Sequence, residues 1–183
     1  MKGTALLLID IQNDYFPGGR MELEGAVGAG INAGKILSRC READIPVVHI
    51  QHLSVRPGAA FFIPGTEGAD INRCVAPLKG EKIIQKNFPN SFRNTELHEH
   101  LKNSNVRKLL ICGMMTHMCV DATVRAAFDY GFECIVAGDA CATRDLANGE
   151  VKVPALHVHN AFLAALGAVY AEVQTTAELM QRL

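Results

Sequence analysis

The chain lacks the features that would place it in a membrane or on a nucleic acid. No apolar segment approaches the roughly 20 residues of a membrane-spanning helix, and the apolar run after Met1-Lys2-Gly3 is too short for a signal peptide. Positive charges form no long run, and the net charge over 183 residues is −1. Neither nucleic acid nor anionic membrane is therefore expected as a partner. We expect a soluble, cytoplasmic protein.

The six cysteines lack the spacing of a zinc site or a redox motif. No two of them form a C-x-x-C pair, and Cys112 and Cys134 lie inside apolar, strand-like runs. Free cysteine packs as a small hydrophobic residue, and disulfides are rare in cytosolic proteins. We expect reduced, buried thiols, and only Cys119 has a placement that suggests chemistry.

Repeats, low-complexity segments and linker-like stretches are also missing, which predicts one domain over residues 1–183. Apolar runs rich in Val, Ile and Leu alternate with helical patterns, which is typical of βαβ units. Strands are expected at Thr4–Ile9, Pro46–Ile50, Lys82–Gln85, Val106–Cys112, Cys134–Ala137 and Ala168–Val173. Helices are expected at Val27–Ala43, Thr95–Lys102, Cys119–Tyr130 and Val151–Ala165, with a tail helix from Thr176.

This pattern predicts a three-layer α/β/α sandwich with a central, mostly parallel sheet of about six strands. The stretch Ala161–Ala171 is apolar all round, which predicts burial between sheet and helices. Two long connections, Asn13–Ala26 and His52–Gly80, are expected to form lids or pocket walls, because loops of that length are usually functional.

Three reactive side chains follow predicted strands. Asp10 and Lys86 each come directly after a strand, and Cys119 lies a few residues after a third. Ligands of open parallel sheets bind beyond the carboxyl ends of the strands. Cys119 is also expected to open a helix, where free N–H groups and the helix dipole lower a thiol pKa. An acid, a base and a thiol at one sheet edge predict a nucleophilic enzyme.

These residues stand in motifs that resemble those of the isochorismatase-like cysteine hydrolases. That family includes nicotinamidase, N-carbamoylsarcosine amidohydrolase and ureidoacrylate amidohydrolase. The similarity covers essentially the whole chain and keeps the family's order. Its motifs are L-L-L-I-D-I-Q-N-D-Y-F at Leu6–Phe16, P-G-T-E-G-A at Pro64–Ala69, K-N-F-P-N-S-F at Lys86–Phe92, G-M-M-T-H-M-C-V at Gly113–Val120, T-V-R-A-A-F-D-Y-G-F at Thr123–Phe132 and D-A-C-A-T at Asp139–Thr143.

The resemblance implies a catalytic triad of Asp10, Lys86 and Cys119 that needs no cofactor. Asp10 would take the thiol proton and return it to the leaving amine, while Lys86 holds Asp10 and favours the thiolate. Cys119 would form a thioester that water hydrolyses. A cis peptide bond between Met114 and Met115 is also implied, and it would aim the N–H groups of Met115 and Cys119 at the oxyanion.

The resemblance extends to the substrate pocket and to assembly. Phe16 and Phe92 occupy motif positions that line the pocket in relatives, and Met114, Thr116 and His117 lie on the turn beside the nucleophile. We expect these five side chains to contact a small-molecule substrate. The family also implies a homodimer or a higher homo-oligomer.

The second strand lacks the metal site of nicotinamidases. Those enzymes carry an Asp and two His in a D-x-H pattern, whereas this chain has H-I-Q-H-L-S at His49–Ser54. His49 and His52 would point to opposite faces of a strand, so they form a poor ligand pair. We expect no metal, with one histidine hydrogen-bonded in the core or a loop and the other in the pocket wall.

Two alternatives stay open at this stage. Isochorismatases proper hydrolyse a vinyl ether, a reaction that needs the acid Asp10 but no thiol. A flavodoxin-like binding module would carry Cys119 without any catalytic use. The presence of Cys119 favours hydrolysis of a C–N bond in a small amide, ureido or carbamoyl compound.

Overall fold

The computed structural model describes residues 2–183 and has a six-stranded parallel sheet at its centre. The strands are β1 (Thr4–Ile9), β2 (Val47–His52), β3 (Lys82–Lys86), β4 (Lys108–Met114), β5 (Glu133–Ala142), β6 (Leu146–Asn148), β7 (Val151–Val153) and β8 (Glu172–Gln174). The helices are α1 (Ala26–Glu42), α2 (Leu97–Asn103), α3 (Asp121–Asp129), α4 (Ala155–Val169) and α5 (Thr176–Arg182). The sheet order is β3-β2-β1-β4-β5-β8, and β6 and β7 form a separate antiparallel hairpin.

Strand β1 shows how the sequence forms two buried layers. All of its residues are buried, and they alternate between the two faces of the sheet. Leu6 and Leu8 pack with α1 and α5, whereas Leu7 and Ile9 pack with α2 and α3. A strand covered on both faces needs apolar residues at successive positions, which is what this run supplies. The predicted three-layer α/β/α class is confirmed.

The strand order reverses beside β1, and this reversal positions the site. From β1 the chain moves outward through β2 and β3, and then returns to place β4 on the other side of β1. Such a switch point leaves a crevice beyond the carboxyl ends of the two central strands. Asp10 follows β1 directly, and the turn that carries Cys119 follows β4.

The C-terminal third departs from the sequence prediction. The predicted strand Ala168–Val173 is wrong in its first half, because α4 continues to Val169 and β8 begins only at Glu172. Ala161–Ala171 is not buried all round either. Helix α4 packs through Val158 and Leu166, while its outer face leaves Val169 63% exposed. The apolar pattern cannot show that a helix packs on only one side.

The start of α4 also differs from the prediction. Val151–Val153 forms β7 instead of the first helical turn, and Pro154 then leads into α4 at Ala155. Among the described residues, no helix combines the length and the apolar character that crossing a bilayer requires.

Candidate active site

Asp10 and Lys86 form a fully buried ion pair at the switch point. Asp10 adopts a positive φ of 51°, a conformation that Asp tolerates better than most residues. Lys86 ends β3, two strands away and about 10 Å across the sheet. Its long side chain passes the end of β2 and places Nζ 2.7 Å from Asp10 Oδ2. Both side chains are inaccessible to solvent.

The Lys86 ammonium is surrounded by acceptors. Besides Asp10, Nζ lies 3.0 Å from His52 Nδ1 and donates to the Phe88 carbonyl at 3.1 Å. Burial lowers the pKa of Lys86, but the negative charge of Asp10 and its close contact with Nζ, together with Cys119, outweigh burial and leave that pKa raised. The lysine is therefore a fixed positive charge at neutral pH.

Cys119 lies in contact with this pair. It is 3% exposed and belongs to a π-helical turn, Thr116–Val120, between β4 and α3. Its Sγ, one oxygen of Asp10 and one ring nitrogen of His52 lie within 4.8 Å of one another. Among the described residues, the oxygens of Asp10 have no hydrogen-bond partner, and Oδ2 forms the ion pair with the ammonium of Lys86.

The expected lowering of the Cys119 pKa is not found. Burial and the Asp10 carboxylate raise the pKa of the thiol, and Lys86 only partly opposes them. Helix α3 begins two residues later, at Asp121, so Cys119 does not open it as predicted. The resting group is a buried thiol whose sulfur lies within 4.8 Å of a carboxylate oxygen, an arrangement in which the carboxylate can take the proton during attack.

His52 is the fourth polar member of the cluster. Burial and the Lys86 ammonium lower its pKa to about 4, so the imidazole is neutral at pH 7 and Nδ1 accepts from Lys86. The side chain of Gln12 fixes the His52 backbone, accepting from its N–H at 2.7 Å and donating to its carbonyl at 2.9 Å. His49 instead lies in the core, bonded to Glu81 at 2.9 Å. The predicted division into a core histidine and a pocket-wall histidine is confirmed.

The same cluster offers the closest approach to a metal site in the described part of the chain. Asp10, His52 and Cys119 present one ligand atom each within 4.8 Å. However, the Lys86 ammonium contacts both Asp10 and His52 and stands where a cation would bind. A divalent ion there would face a buried positive charge at contact distance. These residues therefore do not fit a metal.

A cavity of about 490 Å³ opens over Cys119. Both long connections contribute to it, as predicted: Tyr15 and Met21 come from the first, and Phe61 from the second. Asp14 holds the two together, because its carboxylate accepts from the N–H of Phe62 at 2.6 Å and of Arg20 at 3.1 Å. The peptide bond between Met114 and Met115 is cis, and Met115 lines the cavity.

Comparison with known proteins identifies the family. A profile of the Isochorismatase domain matches residues 4–178. The chain belongs to the isochorismatase family. The chain is 53% identical over 173 residues to YddQ of Bacillus subtilis, an isochorismatase family protein of uncharacterised function; the alignment covers 94% of this chain and 96% of YddQ.

Two further comparisons add the fold and the reaction class. An isochorismatase-family crystal structure from Oleispira antarctica superposes with a TM-score of 0.95 at 46% identity, covering 98% of this chain and 97% of that one. Maleamate amidohydrolase of Pseudomonas putida is 28% identical over 193 residues, covering 98% of this chain and 86% of the enzyme. Isochorismatase-family proteins of this kind are hydrolases that act on amides or similar compounds.

Phe16 and Phe92 were expected to line the substrate pocket of this protein, but both pack elsewhere. Phe16 lies against α1, where a Cβ at Gly30 would come within 2.9 Å of its ring. Phe92 packs with the rings of Tyr130 and Phe132, at centroid distances of 5.2 and 6.1 Å. Neither ring lines the cavity at Cys119. Both fill gaps between elements, the commoner role of an aromatic side chain.

The other three expected substrate contacts are also engaged within the protein. Met114 is fully buried in the core. The Thr116 hydroxyl donates to the Ala142 carbonyl at 3.2 Å and lies 2.9 Å from a ring nitrogen of His159. His117 is hydrogen-bonded to the Thr143 hydroxyl. These contacts tie the nucleophile turn to β5 and α4, and the three side chains stay outside the cavity wall.

Sequence reasoning missed several residues that do line the cavity, among them Tyr15, Arg56 and Arg144. Tyr15 stands inside the first family motif, and Arg144 directly follows D-A-C-A-T. Their closeness to motifs was therefore an available signal. Arg56 lies in a connection rich in Pro and Gly, where the sequence gives no side-chain direction.

Proposed function

We propose that this protein hydrolyses the C–N bond of a small amide, ureido or carbamoyl compound through a thioester on Cys119. One observation carries the proposal: the thiol, a carboxylate and an ammonium form a single buried contact cluster at the floor of a cavity. Family membership supports hydrolysis of a C–N bond, since one relative whose alignment covers nearly the whole chain is an amidohydrolase.

The first step follows from the state of the thiol. Because burial keeps the pKa of Cys119 raised, the proton leaves only as Sγ bonds to the substrate carbonyl carbon, and Asp10 takes it as general base. Lys86 stays protonated and offsets the negative charge that would otherwise build up in a buried site. The N–H groups of Met115 and Cys119 receive the developing oxyanion.

The second half of the cycle restores the enzyme. Asp10 gives its proton to the leaving nitrogen, the C–N bond breaks, and ammonia or an amine departs to leave the thioester. Water then attacks the thioester carbonyl while Asp10 removes a proton from it. The acid product leaves with the new oxygen, and the proton on Asp10 returns to the Cys119 sulfur. No cofactor enters this scheme.

The test is ammonia release from a panel of primary amides, ureas and carbamoyl compounds. Wild type is compared with Cys119→Ala and with Cys74→Ala, a matched control that removes a thiol outside the cavity wall. We expect turnover of some member by wild type and Cys74→Ala, and only background release by Cys119→Ala. Thermal unfolding checks that both variants are folded.

The panel also separates the alternative reactions. Isochorismate is included, because vinyl-ether hydrolysis needs Asp10 but no thiol. Activity on isochorismate that survives Cys119→Ala and is lost in Asp10→Asn would replace the proposal with that chemistry. A thiol that alkylates at an ordinary rate, together with no turnover of any compound, would indicate a binding module.

A further inference from the structure

His52 belongs to the polar cluster at the nucleophile, but the proposed reaction assigns it no step. Its side chain lines the cavity over Cys119. One of its ring nitrogens lies within 4.8 Å of the Cys119 sulfur and of an Asp10 oxygen. The imidazole therefore lies beside any substrate whose carbonyl carbon Sγ attacks. Whether it can bind that substrate depends on which ring nitrogen carries the proton.

The ammonium of Lys86 determines the tautomer of His52. An ammonium has three hydrogens and cannot accept a hydrogen bond. The Nζ atom has three acceptors, which are Asp10 Oδ2 at 2.7 Å, His52 Nδ1 at 3.0 Å and the Phe88 carbonyl at 3.1 Å. Nδ1 therefore accepts and carries no proton. Because the pKa of about 4 keeps the ring neutral at pH 7, its single proton lies on Nε2.

The Nε2–H group of His52 is a donor without an acceptor. No hydrogen-bond partner for it lies within residues 2–183. Nδ1 of His49 also lacks a partner but is enclosed by protein, whereas Nε2 of His52 reaches open space. Since Nδ1 points at the buried ammonium, Nε2 points away from it, toward the cavity that the ring lines. The donor is therefore available to a bound molecule.

Neighbouring residues hold the imidazole in place. The side chain of Gln12 accepts from the His52 N–H at 2.7 Å and donates to the His52 carbonyl at 2.9 Å. Gln12 is itself fully buried, and its amide also donates to the Ala69 carbonyl at 2.7 Å. The buried ring of Phe62 lies 5.9 Å from the imidazole, between centroids. A donor that is fixed before binding costs little ordering when the substrate arrives.

We infer that His52 is a substrate-binding residue whose Nε2–H donates to a second, uncharged acceptor oxygen of the substrate, distinct from the carbonyl oxygen that becomes the oxyanion. The inference rests on the proposed function and narrows its substrate class to amide, ureido or carbamoyl compounds that carry an ether, carbonyl or hydroxyl oxygen near the scissile carbonyl.

The place of His52 in the sheet supports both parts of this inference. His52 ends β2, whereas the N–H groups of Met115 and Cys119 lie beyond β4, and β1 with Asp10 stands between them. The imidazole therefore approaches the substrate from the side opposite the proposed oxyanion site. A neutral donor suits an uncharged oxygen, because the positive charge of Lys86 is already offset by Asp10.

Two substitutions separate the contact of His52 with Lys86 from its contact with the cavity. Asparagine places an oxygen near the position of Nδ1, so His52→Asn keeps an acceptor for Lys86 and removes the donor to the cavity. Glutamine places an N–H group near the position of Nε2, so His52→Gln keeps that donor. The matched control is His157→Asn, because His157 is exposed on α4 and lies outside the cavity wall.

Substrate pairs of nearly equal size provide the first test. Methoxyacetamide is paired with butyramide, and levulinamide with isocaproamide, so that a methylene or methyl group replaces the acceptor oxygen. The measured quantity is the ratio of kcat/KM within each pair. Wild type and His157→Asn are expected to prefer the oxygen-bearing member of at least one pair. His52→Asn should lower that ratio about three- to tenfold, the effect of one neutral hydrogen bond, and His52→Gln should retain most of it.

The second test needs no turnover. Long-range proton–nitrogen NMR of protein carrying isotope-labelled histidine reports which ring nitrogen holds the proton, and the His52 signals are identified by their loss in His52→Asn. We expect a neutral ring with the proton on Nε2 at pH 7. Titration of Cys119→Ala with methoxyacetamide should shift the Nε2–H signal more than titration with butyramide. A proton on Nδ1, or equal shifts with both compounds, would overturn the inference.

The two tests distinguish failure of this inference from failure of the proposed function. Thiol-dependent hydrolysis that His52→Asn slows equally for both members of every pair would overturn the inference and leave the proposed function standing. No hydrolysis of any amide, together with an Nε2–H shift that depends on the acceptor oxygen, would overturn the proposed function and support the donor site.

Discussion

Replacing Lys86 with methionine tests whether the buried ion pair is an obligatory unit. The substitution keeps the length of the side chain but removes the ammonium that lies 2.7 Å from Asp10 Oδ2. Asp10 then remains as a fully buried carboxylate beside two uncharged polar groups, the Cys119 thiol and the His52 imidazole, and it has no positive partner. An uncompensated buried charge is far more costly than a buried pair, because the lost attraction no longer offsets desolvation.

The expected loss for Lys86→Met is about 3–5 kcal/mol in the free energy of unfolding, the usual cost of breaking a buried pair. For a domain of this size that corresponds to a fall in Tm of roughly 6–20 °C. The double variant Asp10→Asn/Lys86→Met removes both charges and should recover most of this loss. The surface pair Lys108–Glu133, with a 3.0 Å contact, supplies the control Lys108→Met, which should cost about 1 kcal/mol or less.

Urea denaturation followed by circular dichroism measures these free energies, with the slope compared among variants to check that unfolding stays two-state. Two results would refute the reasoning. One is a Lys86→Met protein as stable as Lys108→Met. The other is a double variant that is no more stable than Lys86→Met, which would place the cost in packing and not in charge.

Three further predictions concern catalysis, pH and assembly. Asp10→Asn should lower kcat at least about a hundredfold, as expected for loss of general acid–base help; steady-state ammonia release measures this, and near-normal turnover would contradict it. The pKa of His52 is about 4 in the folded protein and near 6.5 in the unfolded chain. Its contribution to the free energy of unfolding is therefore fully present above pH 6.5 and is lost as the pH falls toward 4. The loss from this residue is about 3 kcal/mol. Denaturation at pH 7 and at pH 4 should therefore show a smaller fall in the free energy of unfolding for His52→Gln than for wild type. Light scattering at micromolar concentration should give at least a dimer, as the family resemblance implies, and a monomer would contradict this.

The fold followed from the sequence wherever apolar runs are buried on both faces. Thr4–Ile9 is continuous and fully buried, and its predicted bounds equal those of β1. The prediction failed at Ala168–Val173, where α4 carries apolar side chains, such as Val169, on its exposed side. The pattern of apolar residues in the sequence does not show whether another element packs against them. The C-terminal end of α4 could therefore not be predicted from the sequence.

The candidate site was predictable only in part, for a related reason. Asp10 and Cys119 follow strands and Lys86 ends one, and the order of these strands in the sheet brings the three residues together. Their positions along the chain were therefore sufficient to predict the cluster. Electrostatics were not predictable, because the raised pKa of Cys119 depends on burial by distant segments. The cavity wall depended on side-chain direction in loops, which placed Arg144 inside and Phe16 outside.

The measurement closest to the central claim is detection of the acyl-enzyme on Cys119. The protein is mixed with an amide found active in the ammonia assay and quenched in acid within the first turnovers, and the Cys119 peptide is then weighed. The account predicts an increment equal to the acyl group of the substrate on Cys119 in wild type, and none in Cys119→Ala, which also releases no ammonia. Full ammonia release by Cys119→Ala, with no adduct on the wild-type thiol, would contradict it.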